Sequence, residues 1–242
     1  MPELQSPSAG RSKSSTFRFF RDLLLILLAA ILISFLVKTF LFRSFYIPSG
    51  SMMNTLQVND RILVNELVPN VVGLQRGDVV VFQDPGGWLP ASPQAPSNPI
   101  AEGLKSVLIF VGLREQDGNE HLIKRVIGMP GDHVVCCDDF GHLSVNGVTI
   151  DEPYVNLPEG ITRVSGDDFD IYVPADSLWV MGDNRYNSKD SRYNRDTPSD
   201  GFVPYKDVVG RAIVVSWPFD RWTWLDDYSV AFKDVKNEAV RE

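Results

Sequence analysis

Hydrophobic and polar positions divide the chain into an apolar N-terminal run and a longer region of short, alternating segments. Residues 1–16 are polar and rich in Ser, which indicates a disordered tail. Residues 23–37 carry no charge, and extending this run to Phe42 gives twenty residues, a length that spans about 30 Å of hydrocarbon. We therefore predict a cytoplasmic tail over residues 1–16 and a transmembrane signal anchor over residues 17–43.

The segment before the apolar run is basic. Four cations stand there against two carboxylates: Arg11, Lys13, Arg18, Arg21, Glu3 and Asp22. This bias predicts a single-pass protein of the plasma membrane, with its N-terminus in the cytoplasm and the remainder extracytoplasmic. A cleaved secretory signal and a buried core helix are the alternatives. No small-x-small cleavage site follows the run, because residues 38–45 are bulky or charged, so a retained anchor is favoured.

Beyond the anchor, apolar or alternating segments bounded by turn residues predict short β-strands. These segments are residues 61–66, 79–82, 121–127, 133–137, 178–181 and 208–217. Asn146-Gly147, between two further apolar segments, favours a type I′ turn and therefore a hairpin over residues 143–150. No sustained helical periodicity follows the anchor, so the fold class is predicted to be mainly β.

The β-rich domain is predicted to occupy residues 44–225, followed by a polar C-terminal tail over residues 226–242. Residues 84–104 carry five prolines, which indicates a long surface excursion. We assign this excursion to a loop-rich insertion over residues 83–120 and expect an inserted smaller β region within the domain.

Composition excludes some functions. The net charge of −8 disfavours nucleic-acid binding, which needs a basic surface. Cys136 and Cys137 are adjacent, and Cα atoms about 3.8 Å apart lie below the usual bridging distance, so two unbridged thiols are favoured over a strained disulfide. The cysteines and the three histidines show no zinc-site spacing, and we expect neither a metal nor an organic cofactor.

Residues Phe45–Leu56, reading Phe-Tyr-Ile-Pro-Ser-Gly-Ser-Met-Met-Asn-Thr-Leu, form a candidate nucleophile loop. Gly50 can take a positive φ and allow a tight bend, which would expose the hydroxyl of Ser51. Met52 and Met53 can supply adaptable apolar walls for a pocket that accepts small side chains. Taken alone, Ser-Gly-Ser is also an ordinary turn.

A serine nucleophile needs a base that removes its proton. The three histidines could build a Ser-His-Asp triad, but the sequence shows no such geometry: His121, His133 and His142. Lys124 is the better candidate, because strand alternation places it on one face with Leu122 and Val126. Burial of that face would lower the lysine pKa and leave a neutral amine. The alternative is a strand lysine whose amine reaches solvent.

The loop Gly182–Arg192 follows a predicted strand and is dense in polar groups, a common arrangement at functional sites. Ser188 could orient the lysine amine. Four charged residues could form a network: Asp183, Arg185, Asp190 and Arg192. Alternatively, the loop is a polar turn with surface ion pairs that contribute about 0–1 kcal/mol each.

Four segments in this order after one apolar run carry a family resemblance: Phe45–Met53, Arg76–Phe82, Lys124–Asp132 and Gly182–Arg192. With them the chain resembles the bacterial type I signal peptidases, or leader peptidases, as far as about Trp217. The resemblance implies a membrane-anchored serine endopeptidase that removes signal peptides from exported preproteins after small residues of the Ala-x-Ala type. It implies a Ser/Lys dyad, an acyl-enzyme intermediate, and no cofactor. Its expected partners are preproteins and membrane lipid.

The resemblance also implies roles for single residues. Ser51 matches the nucleophile, Lys124 the general base and Ser188 the serine that orients the lysine. Ser49 matches a hydroxyl that joins the Ser51 backbone N–H in an oxyanion hole. Phe45, Ile47, Met52 and Ile123 match the apolar walls around the small substrate side chains. Asp190 and Arg192 match a supporting ion pair, and Asp183 and Arg185 are placed beside them in the same supporting network.

Some features depart from the family pattern or leave alternatives open. Asn54 stands where many relatives carry proline, and Tyr46 occupies a variable position. The aromatic segment Trp217–Trp224 could lie at a lipid interface, pack on the β core or cover a groove. A self-cleaving repressor-type Ser/Lys protease would need a DNA-binding head, which the apolar run replaces. A catalytically silent adaptor or chaperone that binds signal peptides is the alternative from a different class.

Overall fold

The computed structural model describes residues 13–90 and 121–237. The chain divides into two compact units, Met1–Phe40 and Leu41–Glu242. The loop-rich insertion predicted over residues 83–120 lies largely outside the described residues.

The first unit contains helix α1, Lys13–Phe40. Its sequence is rich in Leu and Ala, which favour the helix, and it has no internal Gly or Pro. From Leu23 to Phe35 its large apolar side chains are all exposed. In contrast to the predicted anchor, no helix within the described residues has the length and apolar character needed to cross a membrane.

The second unit is mainly β, as predicted. Its described strands are β1 Phe42–Tyr46, β2 Arg61–Asn65, β3 Val79–Gln83, β4 His121–Gly128, β5 His133–Cys136, β6 Leu143–Val145, β7 Val148–Thr149, β8 Phe169–Tyr172, β9 Ser177–Met181, β10 Val203–Pro204, β11 Val208–Trp217 and β12 Thr223–Trp224. Short 3-10 helices cover Ser191–Tyr193, Tyr205–Asp207, Phe219–Arg221 and Ser229–Phe232.

The predicted strands and the hairpin are confirmed. Asn146 and Gly147 between β6 and β7 have φ angles of 52° and 76°, the two positive values that a type I′ turn requires. Strands β1, β8, β10 and β12 were not predicted. Two of these contain only two residues each, which is too short for an alternating pattern to appear.

An eight-stranded antiparallel sheet has the order β1-β2-β11-β3-β4-β9-β10, with β12 paired to β11. β3 and β4 lie inside it and are covered on both faces, since successive side chains of β3 join different buried clusters. Val79 and Val81 pack with Phe45 and Ile47, whereas Val80 packs with the opposite cluster. A charged side chain on β4 therefore has no direct route to solvent.

A second, four-stranded sheet has the order β7-β6-β5-β8 and lies between β4 and β9 in the chain. Its core includes Val134 and Leu143, which share a cluster with Trp179 of β9. Phe232 and Val235 join the same cluster, with 6% and 9% of their surfaces exposed. Part of the segment predicted as a polar tail thus contributes to the core.

The cysteine prediction was wrong. Cys136, at the end of β5, and Cys137 form a disulfide across a cis peptide bond. Their Cα atoms are 3.0 Å apart. The prediction of two unbridged thiols rested on the separation of about 3.8 Å between consecutive Cα atoms across a trans peptide.

Candidate active site

The candidate nucleophile loop leaves β1 as an extension held by backbone hydrogen bonds. Ile47 N–H donates to the Asp60 carbonyl, and Asn59 N–H donates to the Ile47 carbonyl, both over 2.9 Å. Met53 N–H then donates to the Gly50 carbonyl over 3.1 Å and closes a turn around Ser51. The predicted extension followed by a bend is therefore present.

Two details of this loop differ from the prediction. Ser51 is only 7% exposed, so its hydroxyl is not presented on the surface. Gly50 does not have a positive φ, and the absence of a side chain matters there for another reason. A Cβ added at Gly50 would lie 2.9 Å from the Met53 sulfur, closer than two such atoms normally approach.

Asn54 explains one departure from the family pattern. Its φ is 94°, a value that proline cannot adopt because its ring fixes φ near −65°. The Asn54 side chain donates to the Tyr154 carbonyl over 3.0 Å. Asparagine thus both permits this backbone and ties the nucleophile loop to a neighbouring segment.

Lys124 contacts Ser51 directly, although 73 positions separate them in the sequence. Its Nζ donates to Ser51 Oγ over 2.9 Å and to the Ile123 carbonyl over 2.8 Å. β4 places Lys124 opposite Val80 of β3. Leu122 and Val126 share a buried cluster, as predicted for the face that carries this lysine. Only 4% of Lys124 is exposed, so the solvent-reaching alternative is wrong.

Burial lowers the pKa of Lys124 from its ordinary value to about 8. The negative charges of Asp190 and Asp183 oppose this shift, and the Arg192 guanidinium adds to it. With a pKa about two and a half units below the ordinary value, roughly a quarter of the lysine is neutral near pH 7.5. A neutral amine at hydrogen-bond distance from a hydroxyl can accept its proton.

Ion pairs hold the loop Gly182–Arg192, and all of them are buried rather than on the surface. Arg192 forms two 2.8 Å hydrogen bonds with the two carboxylate oxygens of Asp190. Burial raises the pKa of Asp190, but Arg192, the Gly182 N–H and the Ser188 hydroxyl together outweigh that effect, and the net pKa is lowered. Asp190 therefore stays ionised, and its Oδ2 also accepts from Gly182 N–H over 2.9 Å.

The other two charged residues of the predicted network pair with partners that the sequence did not reveal. Asp183 accepts two hydrogen bonds from Arg125, the residue after Lys124, at 2.9 and 2.7 Å. Arg185 donates to both carboxylate oxygens of Glu152 at 2.8 and 2.6 Å. These pairs join residues 58 and 33 positions apart, so no local pattern could have revealed them.

Asn184 was also missed, although it contacts the nucleophile loop twice. Its backbone N–H donates to the Ser51 carbonyl, and its side-chain Nδ2 donates to the Gly50 carbonyl, both over 3.0 Å. The two acceptor carbonyls flank Ser51 along the backbone. They fix the backbone that carries the Ser51 hydroxyl.

Ser188 and Ser49 both lie close to Ser51, with different geometry. Ser188 Oγ is buried and makes no close hydrogen bond within the described residues, although its hydroxyl helps to lower the pKa of the neighbouring Asp190, so its orienting role stays a prediction. A Cβ added at Gly182 would lie 2.2 Å from Ser188 Oγ and 2.5 Å from the Ser51 carbonyl oxygen, which places Ser188 beside the loop. Ser49 Oγ lies 3.4 Å from Ser51 Oγ and is exposed.

The four predicted apolar wall residues are buried and belong to one cluster: Phe45, Ile47, Met52 and Ile123. Three of them, Phe45, Ile47 and Ile123, also line a narrow cleft between the loop extension and the start of β4. His121 lines the same cleft, with its ring edge-to-face to Phe45 at 5.3 Å. A narrow apolar cleft suits small side chains of a substrate.

Neither of the other histidines contacts Ser51. His133 Nε2 lies 2.6 Å from Asp170 Oδ1, and His142 Nδ1 lies 3.5 Å from Asp138 Oδ2. A lysine amine is therefore the basic group at the Ser51 hydroxyl. Chemically, the site combines a hydroxyl, a partly neutral amine and an apolar cleft, which is the set required for acyl transfer from a peptide.

Comparison with known proteins identifies relatives over most of the chain. The family described as "Signal peptidase, peptidase S26" matches residues 20–217. The probable signal peptidase I of Mycobacterium leprae is 38% identical over 217 residues, covering 80% of this chain and 74% of that protein. The signal peptidase I of Mycobacterium tuberculosis H37Rv is 37% identical, covering 87% of this chain and 76% of that protein.

A crystal structure of a signal peptidase I from Enterococcus faecalis V583 is 26% identical, with a TM-score of 0.36. It covers 57% of this chain and 95% of that one. The family match and the two mycobacterial relatives confirm the resemblance inferred from the four sequence segments. The chain belongs to the peptidase S26 family of signal peptidases and is a serine peptidase hydrolase.

Proposed function

We propose that the chain is an endopeptidase that removes N-terminal signal peptides from exported preproteins, with Ser51 as nucleophile and Lys124 as general base. One observation carries the proposal: the buried Lys124 amine lies 2.9 Å from Ser51 Oγ. Its lowered pKa of about 8 supplies a neutral base without a histidine. Family membership supports the reaction class.

In the first half-reaction, Ser51 Oγ attacks the carbonyl carbon of the scissile peptide while neutral Lys124 takes the hydroxyl proton. A tetrahedral oxyanion and a lysine ammonium form together. The ammonium then gives its proton to the leaving amine as the C–N bond breaks. An ester between Ser51 and the signal peptide remains, and Lys124 is neutral again.

In the second half-reaction, a water molecule attacks the ester carbonyl and Lys124 accepts a proton from it. Collapse of the second tetrahedral intermediate returns that proton to Ser51 Oγ and releases the carboxylic acid. Each half-reaction therefore starts and ends with a neutral lysine. The fraction of enzyme with neutral Lys124 limits both.

We propose that the oxyanion is stabilised by the Ser51 N–H and the Ser49 hydroxyl. No hydrogen bond among the described groups uses the Ser51 N–H, which leaves this donor available. The Ser49 hydroxyl, 3.4 Å from Ser51 Oγ, is close enough to turn toward an oxygen bound at the same carbonyl. A preorganised donor of this kind typically contributes about 3–4 kcal/mol to the transition state.

We propose that the cleft of Phe45, Ile47 and Ile123 selects small side chains before the cleaved bond, which gives the Ala-x-Ala preference. The buried position of Met52 behind the loop supports a filled rather than a deep pocket. We further propose that Ser188 orients the Lys124 amine once substrate closes the site. Its buried hydroxyl, beside both Asp190 and the loop that carries Ser51, supports that role.

We also propose that α1 attaches the peptidase to the plasma membrane, with its N-terminus in the cytoplasm and the β-rich unit extracytoplasmic. The exposed apolar side chains from Leu23 to Phe35 support attachment, because water would otherwise cover a continuous apolar surface. The basic residues before Leu23 support the orientation. Membrane lipid and membrane-bound preproteins would then meet the enzyme at one surface.

Cleavage of a purified preprotein by wild type, Ser51→Ala and Lys124→Ala tests the dyad. We expect wild type to release a product with one new N-terminus after a small residue, and both variants to lose at least about 10³-fold in rate. Equal processing by all three proteins would reject the dyad. Binding of the signal peptide without cleavage by any of them would instead favour the adaptor.

A further inference from the structure

Arg125, the residue after the proposed base, packs against two adjacent tyrosine rings. Its guanidinium carbon lies 4.1 Å from the centroid of the Tyr154 ring and 5.2 Å from that of the Tyr228 ring. The two ring centroids are 5.0 Å apart. Arg125 is fully buried. Aromatic faces attract a guanidinium most strongly when water is excluded, as it is here.

The buried guanidinium connects β4 with three other parts of the fold. It makes two hydrogen bonds to Asp183, and its Nη1 donates to the Gly77 carbonyl over 2.6 Å and to the Asp226 carbonyl over 3.0 Å. Burial opposes the charge of Arg125, but Asp183, Tyr154 and Tyr228 together outweigh it, so the pKa of Arg125 lies above its ordinary value. Arg125 is therefore permanently charged.

Asp183 links the Arg125 guanidinium to the nucleophile loop. It accepts a short hydrogen bond from the Thr55 hydroxyl, four residues after Ser51. The next residue, Asn184, holds the Ser51 and Gly50 carbonyls through the two bonds described above. The position of Asp183 therefore affects the nucleophile loop from two directions.

Tyr228 reaches this network from a C-terminal segment beyond the residues that match the family, 20–217. Its backbone N–H donates to Asp226 Oδ1 over 2.7 Å, and its φ is 50°. The segment is seated without free space, since a Cβ added at Gly77 would lie 1.6 Å from the Asp227 carbonyl oxygen. Tyr228 is thus held in place by its own turn and by the β3 side of the sheet.

We propose that Tyr228 is a positioning residue for the dyad: its ring covers the Arg125 guanidinium, which holds Asp183 against the nucleophile loop and beside Lys124. Tyr228 acts through Arg125 and Asp183 and does not itself contact substrate. This inference rests on the dyad proposed above. It assigns to the C-terminal segment a part in setting the charge state of the active-site base.

The charges that act on Lys124 predict the effect of removing this ring. Asp190 and Asp183 favour its ammonium form, while Arg192 opposes it. Without Tyr228, water would reach the Arg125–Asp183 pair, so Asp183 would be less well neutralised and Lys124 less desolvated. Both changes raise the lysine pKa. The pH range in which the enzyme is active should therefore move upward.

The test compares Tyr228→Leu and Tyr228→Phe in the full chain, by measuring kcat/KM for preprotein cleavage between pH 6 and 10. Tyr228→Phe keeps the ring and should keep the wild-type profile. For Tyr228→Leu, the midpoint of the acid limb should rise by about 0.5 to 1 unit, which lowers kcat/KM at pH 7 by about 3- to 10-fold. At pH 9.5 the rates should converge. Phe219→Leu, which removes an exposed ring earlier in the C-terminal region, is the matched control.

An unchanged acid limb in a folded Tyr228→Leu enzyme would overturn the inference, as would an equal shift in Phe219→Leu. If thermal melting shows that Tyr228→Leu does not fold, Asp226→Ala replaces it, because that change removes only the turn bond that orients Tyr228. Asp226→Asn, which keeps the acceptor, is its control. Wild-type cleavage that persists in Ser51→Ala would mean that the dyad itself is wrong, which is a different failure.

Discussion

At the scale of single residues, burial and neighbouring charge act on Lys124 in opposite directions. Burial disfavours the ammonium, whereas Asp190 and Asp183 favour it. Because Arg192 and Arg125 pair with these carboxylates, their effect on the lysine is reduced but not abolished. The balance leaves the pKa of Lys124 at about 8, where a base is both available and strong enough to take a hydroxyl proton.

This balance predicts the pH dependence of cleavage. Activity requires neutral Lys124, so kcat/KM should fall as the pH decreases through about 8 and lose about tenfold per unit below it. Steady-state cleavage of a preprotein, measured between pH 6 and 10, will show this fall in kcat/KM as the acid limb of the profile. Lys189→Ala, which removes an exposed lysine from the same polar loop, should leave the limb in place. A limb near pH 6.5, typical of histidine, would contradict the assignment.

Asn184 should affect the rate without affecting the pKa. Replacing Asn184 with Leu removes the donor to the Gly50 carbonyl while keeping the side-chain volume, so the Ser51 backbone loses one of its two anchors. We expect kcat at pH 9.5 to fall about tenfold or more, since small displacements of a nucleophile are costly, with KM nearly unchanged.

Asn187→Leu is the control for that change, because Asn187 is an exposed asparagine in the same loop with no described side-chain hydrogen bond. Equal losses in the two variants would mean that the loop as a whole has been disturbed. A wild-type kcat for Asn184→Leu would show that the backbone bond to Ser51 is a sufficient anchor.

At the scale of elements, the loop after β9 and the nucleophile loop meet at Gly182. A Cβ at this position would lie 2.2 Å from Ser188 Oγ and 2.5 Å from both Ser188 Cβ and the Ser51 carbonyl oxygen. The backbone oxygen cannot move without moving the nucleophile. Gly182 is thus a point of contact where two elements exclude any side chain.

Gly182→Ala should therefore reduce kcat by about 10²-fold, because relief of the overlap displaces Ser51, Ser188 or both. Single-turnover cleavage separates this effect from binding. Gly166→Ala is the matched control: its added Cβ would have no neighbour closer than 3.6 Å. Activity close to wild type in Gly182→Ala would show that the two loops can separate without cost.

The sequence predicted long strands from their apolar pattern, and it predicted β6 and β7 from the Asn146-Gly147 turn between them. β4 and β11 have eight and ten residues, and both were found. β10 and β12 exist only through pairing with longer neighbours, β9 and β11, and have no pattern of their own. The disulfide between Cys136 and Cys137 was not predicted, because the Cα separation of a trans peptide favoured two unbridged thiols.

The candidate site was predictable in part for the same physical reason. Ser51, Lys124 and the polar loop were identified from residue type and family motif, and the structure does bring Ser51 and Lys124 into contact. The partners of the buried charges were not identified, because Arg125, Glu152 and Tyr228 come near these charges only in the folded chain. Nothing in their own neighbourhoods distinguishes them from ordinary strand or loop residues.

At the scale of the whole molecule, strand order creates the site. Ser51 follows β1 at one end of the large sheet, and Lys124 lies on β4, with β2, β11 and β3 between these strands in the sheet. The extended chain after β1 runs back toward β4 and packs its apolar residues on the face formed by Val79 and Val81. The dyad therefore depends on the packing of the complete sheet rather than on a local motif.

The exposed aromatic side chains at and after the end of β11 also concern the whole molecule, because their contacts lie outside the β-rich core. Trp217, Phe219, Trp222 and Trp224 are 44–75% exposed, and the rings of Trp222 and Trp224 pack edge-to-face on each other at 5.6 Å. Their exposure is too large for side chains that fill the β core, one of the three possibilities that the sequence left open, whereas Trp224 does line a cavity beside β11. Tryptophan is favoured at the boundary between lipid and water, so a lipid contact stays a prediction for these rings.

Replacing both Trp222 and Trp224 with Ser should weaken binding of a chain that begins at Leu41 to phospholipid vesicles, as measured by flotation. Each ring transfers part of its apolar surface to the interface, so losing both should lower the partition coefficient by about tenfold or more. The matched control replaces Val71 and Phe140 with Ser, because these apolar side chains are 74% and 76% exposed elsewhere on the same unit. Unchanged partitioning of the tryptophan variant, or an equal loss in the control, would exclude a specific lipid contact, since only a surface that faces the bilayer gains free energy from its own aromatic rings.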